Sequence, residues 1–164
     1  MLTETDRQLS AHTTKAPTHL FVSIGVGSWA HSVVAHYKSL NLSCKVISVE
    51  PDCAASLKES LHCGDLTPIE TGETIMAGMN CGTTSKIAWP VLREGVHAAL
   101  TVTDPEAHAS VQELQAHGVK AGPCGAATLA AVKKYVTQVD ETEKRGMVAV
   151  LFSTEGAREY EIPE

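Results

Sequence analysis

A glycine-containing loop is the first feature of the sequence with a recognisable chemistry. It follows the apolar run 19–24, precedes apolar residues at helical spacing, and consists of Gly25, Val26, Gly27 and Ser28. A strand, a loop and a helix in this order place unpaired backbone N–H groups at a helix N-terminus, which favours an anion such as phosphate or carboxylate. The pattern Gly25-x-Gly27-x-x-Ala30 also fits a dinucleotide-binding fingerprint, in which Glu50 would bind the ribose. A further alternative is a tight turn between strand and helix that needs glycine only for its backbone geometry.

Two side chains near expected helix starts have acid–base or nucleophilic chemistry. His31 follows the loop, and its ordinary pKa near neutrality makes it the first candidate for a general acid or base. Cys124 opens an alanine-rich helix, where the helix N-terminus would lower the pKa of a thiol, so it is the second candidate; a small buried side chain is the alternative. We expect no metal site, because the spacing of His31 and His36 does not place both rings on one helix face.

Strands and helices that could position these residues alternate along the chain. Apolar runs predict strands over residues 19–24, 45–49, 98–102 and 147–152. Helical patterns cover residues 2–9, 28–40, 86–94, 104–117 and 122–135, with one more helix beginning at Pro51 and an N-cap at Asp104. This order predicts one α/β domain over residues 1–164, a three-layer, doubly wound, mostly parallel sheet. Residues 1–17 form its leader helix and exit loop, and residues 157–164 its tail.

Composition excludes several classes of protein. The 164 residues carry 13 Lys+Arg and 19 Asp+Glu, a net charge of −6, without a basic run, so we expect no nucleic-acid partner. The apolar runs are too short to span a membrane, and the first residues lack a secretion signal. Five scattered cysteines favour neither a disulfide framework nor a zinc site. We therefore expect a cytoplasmic protein.

Several short motifs are too particular for ordinary loops, and they occur in order from about residue 2 to residue 157. Besides the glycine loop they are Pro17-Thr18-His19, Val49-Glu50-Pro51, the run 74–83 with sequence TIMAGMNCGT, Trp89-Pro90, the run 121–126 with sequence AGPCGA, and Ser153-Thr154-Glu155-Gly156. With these motifs the chain closely resembles the diaminopropionate ammonia-lyases. They belong to the fold-type II pyridoxal-phosphate (PLP) enzymes, with tryptophan synthase β and threonine dehydratase.

The resemblance implies a cofactor site and a substrate pocket. Gly25, Val26, Gly27 and Ser28 match the loop that holds the PLP phosphate, and Ser153 matches the hydroxyl that hydrogen-bonds the pyridine nitrogen. The substrate pocket would be lined by Trp29, Asn80, Cys81 and Thr154. Trp29 and His31 depart from the family, which has small or aliphatic residues there, so Trp29 could fill space that PLP needs, stack on a planar ligand or simply pack in the core.

The family's Schiff-base lysine lies upstream of the glycine loop, and no lysine of this chain sits in a matching motif. We therefore expect the C-terminal half of such an enzyme, without that lysine and with no required cofactor. The resemblance then predicts a repurposed, PLP-independent small-molecule enzyme that performs an elimination, isomerisation or cyclisation by acid–base catalysis. The alternative is a non-catalytic pseudoenzyme, or a fragment or partner subunit of a PLP-dependent ammonia-lyase.

Loss of a covering domain also predicts association. A face that the rest of the enzyme would cover keeps apolar surface, and such patches on soluble proteins usually bind partners. We expect a homo-oligomer, at least a dimer, or a complex with a separate N-terminal half.

Overall fold

Four parallel strands form the sheet of the protein. The computed structural model describes residues 1–13 and 15–163. Strands β1 (His19–Ser23), β2 (Lys45–Pro51), β3 (Val96–Val102) and β4 (Ala149–Leu151) lie in the order β3-β2-β1-β4. Every pairing between neighbours is parallel. The predicted parallel α/β sheet is confirmed, with each strand within three residues of its predicted bounds.

Seven α-helices connect and cover the strands of the described chain. They are α1 (Leu2–His12), α2 (Ser28–Ser39), α3 (Ser56–Cys63), α4 (Trp89–Gly95), α5 (Asp104–Ala116), α6 (Pro123–Val136) and α7 (Glu141–Gly146). Short 3-10 turns cover Asp52–Ala54 and Ala77–Met79.

The alternation of strand side chains creates two apolar cores, one on each face of the sheet. Leu20 and Val22 of β1 pack with α2, α3 and α4 in one core. Phe21, between them in sequence, packs with α5 and α6 in the other. Successive strand residues point to opposite faces, so a strand buried on both sides reads as a continuous apolar run. The result is the three-layer arrangement that the sequence predicts.

Two local predictions were wrong, and one helix was missed. Pro51 is the last residue of β2 rather than part of the next helix, which begins only at Ser56. The N-cap of α5 is Thr103 rather than Asp104, because the Thr103 hydroxyl accepts the Glu106 N–H and the Glu106 carboxylate accepts the Thr103 N–H. Helix α7 was not predicted. Thr14 of the exit loop and Glu164 of the tail lie outside the described residues.

The longest helix, α6, has 14 residues. Within residues 1–13 and 15–163, no helix has the length and apolarity that crossing a bilayer requires.

Candidate functional site

The loop between β1 and α2 can be formed only with glycine at two positions. A Cβ on Gly25 would lie 2.7 Å from the carbonyl oxygen of Gly78, closer than real side chains approach. Gly27, the N-cap of α2, has φ 93°, in the left-handed region, and a Cβ there would lie 2.7 Å from Leu92 Cδ1. The two glycines therefore let the backbone turn tightly between α4 and the Ala77–Met79 turn.

The N–H groups of this loop are available to a ligand. Within the described part of the chain, those of Gly25, Val26, Gly27 and Ser28 donate to no protein acceptor. The side chains of Val26 and Ser28 are exposed, and the first turn of α2 has no acidic residue. Converging N–H groups at a helix N-terminus form an anion site, so the loop can bind a phosphate group.

The starts of helices α3, α5 and α6 already have carboxylates of the protein bound at or beside them. At α3, Glu50 accepts the N–H groups of Leu57 (2.7 Å) and Lys58 (2.9 Å). At α6, Glu155 accepts the Cys124 N–H at 2.7 Å, and α5 has the Glu106 capping box. An added anion at these helix starts would meet a negative charge, whereas at α2 it would not. The electrostatics therefore favour the loop 25–28.

Glu50 is not a ribose ligand in this structure. Its side chain is buried, with 1% of the residue exposed, and both oxygens bind the start of α3. Burial raises the pKa of Glu50 to about 7, although the two N–H donors oppose that shift. The side chain holds α3 against β2, which accounts for its position at the end of a strand without a role in binding a nucleotide.

Close contacts join the glycine loop 25–28, the run 74–83 and the start of α6. Gly78 lies against Gly25, and the Cys124 sulfur would be 3.5 Å from a Cβ on Gly78. Cys81 also packs on Gly25, with its sulfur 3.4 Å from the Cβ position. Ser23, at the end of β1, donates its hydroxyl hydrogen to the Cys124 carbonyl at 2.8 Å. The carboxyl ends of the strands thus meet the start of α6 in one crevice.

Ser153 lies beside the start of α6, immediately beyond β4. Its Oγ would be 2.6 Å from a Cβ on Gly125, so glycine is needed there for the strand end and the helix to approach. The side chains of Ser153 and Thr154 are exposed, and the Ser153 hydroxyl makes no hydrogen bond to any described residue. A hydroxyl in this state can donate to a ligand atom at the strand end.

The Cys124 thiol does not have the lowered pKa that its helix position suggested. The residue is only 6% exposed, and burial, followed by the nearby Glu155 carboxylate, raises the pKa of the thiol. The helix N-terminus is satisfied by Glu155 instead. A buried neutral thiol is a weak nucleophile, so catalysis by Cys124 stays a prediction without this electrostatic support.

His31, Trp29 and Asn80 have different surroundings. His31 lies in the first turn of α2 with a half-buried ring, and its backbone N–H donates to Gly27 at 2.8 Å. Trp29 is partly buried and packs edge-to-face on Phe152, with ring centres 5.4 Å apart, against the core on the α2 face. Asn80 donates to the Gly72 carbonyl at 2.9 Å, and its buried Oδ1 has no partner in the described residues.

Sequence reasoning missed two charged residues beside the crevice. The Glu155 carboxylate binds both the Cys124 N–H and the Arg158 guanidinium, and Arg158 also donates to the Ile75 carbonyl. Arg158 borders a cavity of about 520 Å³ next to Thr74, Ala77 and Tyr160. The available signal for Glu155 was its place in the motif Ser153-Thr154-Glu155-Gly156. In residues 1–13 and 15–163, no three His, Cys, Asp or Glu side chains are placed to share a metal ion.

Comparisons with known proteins agree with this geometry. The family model of the pyridoxal-phosphate dependent enzymes matches residues 2–153. A diaminopropionate ammonia-lyase from Salmonella typhimurium is 36% identical over 106 residues, which are 62% of this chain and 26% of that enzyme.

Two solved structures show the same fold. The Escherichia coli diaminopropionate ammonia-lyase, in complex with an aminoacrylate-PLP azomethine reaction intermediate, has a TM-score of 0.79 and 25% identity over 94% of this chain and 43% of that one. Maize serine racemase, at 20% identity, has a TM-score of 0.84 over 96% of this chain and 47% of that one. The chain spans less than half the length of these relatives. It belongs to the pyridoxal-phosphate dependent enzymes of fold type II and is similar to the diaminopropionate ammonia-lyases among them.

Proposed function

We propose that this chain provides the phosphate-binding and ring-binding side of the PLP site of an ammonia-lyase-type enzyme. The observation that carries the proposal is the loop 25–28, whose backbone N–H groups have no protein acceptor among the described residues. Glycine is required at positions 25 and 27 of this loop, because a Cβ at either would collide with the protein. Residues already present therefore fit the phosphate end of PLP. When bound, PLP supplies an electron-withdrawing ring that assists removal of a proton and a leaving group from an amino-acid substrate.

The residues of this chain would bind and orient the cofactor. The N–H groups of 25–28 would bind its phosphate, and the exposed Ser153 hydroxyl would donate to the ring nitrogen. A neutral hydroxyl leaves that nitrogen unprotonated, which suits β-elimination. The run Thr74–Cys81 would border the substrate side, because Gly78 and Cys81 pack against the loop.

The lysine that the family links to PLP would come from outside these 164 residues, from the same polypeptide or from a partner. The chain matches 26% of the length of the Salmonella relative, so most of such an enzyme lies beyond the matched part. Five lysines of this chain are engaged with glutamates elsewhere: Lys38, Lys45, Lys133, Lys134 and Lys144. We accordingly propose that the isolated chain binds PLP without a covalent bond to one specific lysine.

A second candidate is PLP-independent acid–base catalysis in the same crevice, as a repurposed enzyme. The position of His31, in the helical turn directly after the free N–H groups, favours it, because an anionic substrate bound by the loop would lie near the imidazole. His31→Ala would then lower the rate roughly 10²–10⁴-fold and leave the unfolding temperature unchanged. An unchanged rate would remove this candidate.

A calorimetric titration tests the main proposal. The ligand is 4′-deoxypyridoxine 5′-phosphate, which has the ring and the phosphate of PLP but no aldehyde, so surface lysines cannot trap it. We expect saturable binding that is lost with unphosphorylated 4′-deoxypyridoxine, because the loop binds the phosphate. Equal binding of both compounds, or of neither, would contradict the proposal.

We also propose that the chain associates, either with itself or with a separate N-terminal half. Val26 in the loop is 46% exposed, and Ile87, close to Ser85 that donates to Val26, is 83% exposed. Exposed apolar side chains beside a site are typical of a surface that another chain covers. Light scattering should give at least twice the 17.4 kDa of one chain; a monomer at all concentrations would refute self-association.

A further inference from the structure

One residue, Glu155, connects the segment after β4 to the start of α6. Glu155 Oε2 accepts the Cys124 N–H at 2.7 Å, and Glu155 Oε1 accepts the Nε–H of Arg158 at 2.8 Å. The backbone of the same residue accepts the Gly122 N–H at 3.1 Å. Glu155 therefore binds the first turn of α6 through both its side chain and its main chain.

Ser153 lies against the same first turn of α6 that Glu155 contacts. Gly125 in the first turn of α6 approaches both the Ser153 Oγ and the Glu155 backbone, which would lie 2.6 and 2.8 Å from a Cβ there. Ser153 itself makes no hydrogen bond to the described protein that would hold its side chain. The place of its hydroxyl thus depends on how closely the segment 153–156 lies on α6.

Arg158 orients the Glu155 carboxylate by donating its Nε–H to Oε1 at 2.8 Å. The pair is partly buried, with 23% of the Glu155 side chain and 33% of the Arg158 side chain exposed. Arg158 also donates to the Ile75 carbonyl, so it connects the strand-end segment to the run Thr74–Cys81. A charge-assisted hydrogen bond to an N–H group is stronger than a neutral one and defines the geometry more tightly.

We propose that Glu155 is a positioning residue, which holds the Ser153 hydroxyl where it can donate to the ring nitrogen of PLP. The inference rests on the proposed function and adds a residue that makes no contact with the cofactor itself. It predicts different behaviour at two ends of the site: the Glu155 side chain hydrogen-bonds Cys124 and Arg158 and not the phosphate end at 25–28, whereas the ring end at Ser153 would depend on it.

Glu155→Gln tests the inference, because glutamine keeps the size but places a donor opposite either the Cys124 N–H or the guanidinium. Binding of 4′-deoxypyridoxine 5′-phosphate and of methyl phosphate is measured by NMR titration for both proteins. We expect the variant to bind the ring-bearing ligand roughly 5-fold more weakly, the loss of about one neutral hydrogen bond, with methyl phosphate unchanged. Glu159→Gln, an exposed glutamate four residues on, is the matched control and should alter neither.

Two further measurements keep the outcome unambiguous. Amide hydrogen exchange at Cys124 should become faster in Glu155→Gln, because its acceptor is replaced. Arg158→Gln, which leaves the Cys124 cap in place, should also weaken binding of the ring-bearing ligand, and it replaces Glu155→Gln if that variant does not fold.

Equally weakened binding of both ligands, or unchanged binding of both, overturns the positioning role alone. Failure of the unmutated protein to bind either ligand overturns the proposed function and the inference with it.

Discussion

Substituting alanine for Gly25 should damage both the fold and the phosphate site. The new Cβ would lie 2.7 Å from the Gly78 carbonyl oxygen, which belongs to backbone and cannot rotate away. Either the loop 25–28 or the Ala77–Met79 turn must then move by several tenths of an ångström. Overpacking of this kind typically costs about 1–3 kcal/mol, which for a domain of this size lowers the unfolding temperature by roughly 2–12 °C.

The consequence for binding follows from the same displacement. The free N–H groups point correctly at a phosphate only while the loop stays in place, and each charge-assisted hydrogen bond contributes about 1.5–3 kcal/mol. Loss of one such bond would weaken binding of 4′-deoxypyridoxine 5′-phosphate about 10-fold or more. Thermal unfolding by circular dichroism and a calorimetric titration measure the two effects on the same sample.

Gly146→Ala is the matched control for this variant. Gly146, the last residue of α7, has no atom within 4 Å of its Cβ position and is remote from the loop in sequence. It should unfold at or slightly above the original temperature, because alanine is the better helix former by about 0.5–1 kcal/mol. If Gly25→Ala unfolded and bound the ligand like the control, the tight approach of Gly25 and Gly78 would not exist and the reasoning would be refuted.

Three other outcomes can be measured by unfolding experiments. Lys45, His19 and Tyr135 hydrogen-bond Glu143 and lower its pKa to about 2 from an ordinary 4.5, so its contribution to stability is present above pH 4.5 and is lost as the pH falls toward 2. Glu143→Gln should therefore be less stable than the original protein at pH 6, with a difference that shrinks at pH 2; a constant difference would contradict this. The raised pKa of Glu50 has the opposite effect on stability: the free energy of unfolding should fall as the pH rises from 4.5 through 7. Denaturant unfolding of Glu50→Gln should not show this fall with pH. Thr103→Ala removes the α5 N-cap and should cost about 0.5–2 kcal/mol, whereas Thr137→Ala, at the exposed end of α6, should cost less.

The strands and their parallel order could be predicted because burial on both faces leaves continuous apolar runs. Residues 19–23 are all buried, as expected of a strand that helices cover on both faces of the sheet. Helix boundaries were harder. Pro51 suits the first turn of a helix, but its pairing with Val102 extends β2 through it instead. Local preference was overridden there by the sheet.

The candidate site was predictable in its main chain and less so in its side chains. Glycines 25 and 27 mark the loop because only glycine tolerates the close approach and the left-handed backbone. The roles of Glu50 and Glu155 could not be predicted from the sequence, because each carboxylate binds a helix start that is distant along the chain. Glu50 binds an N–H group 7 residues away, and Glu155 binds one 31 residues away. The predicted lowering of the Cys124 pKa was wrong because the thiol is buried and, as a second cause, lies near the Glu155 carboxylate; both raise the pKa.

The central claim, that the loop 25–28 binds the phosphate of PLP, is tested most directly by amide NMR during a titration. The chain would be labelled with nitrogen-15 and titrated with 4′-deoxypyridoxine 5′-phosphate. The largest shifts should occur at the N–H groups of Gly25, Val26, Gly27 and Ser28, with smaller ones at Ser153. Shifts centred instead on the cavity beside Tyr160, or no saturable shift at the loop, would contradict the account.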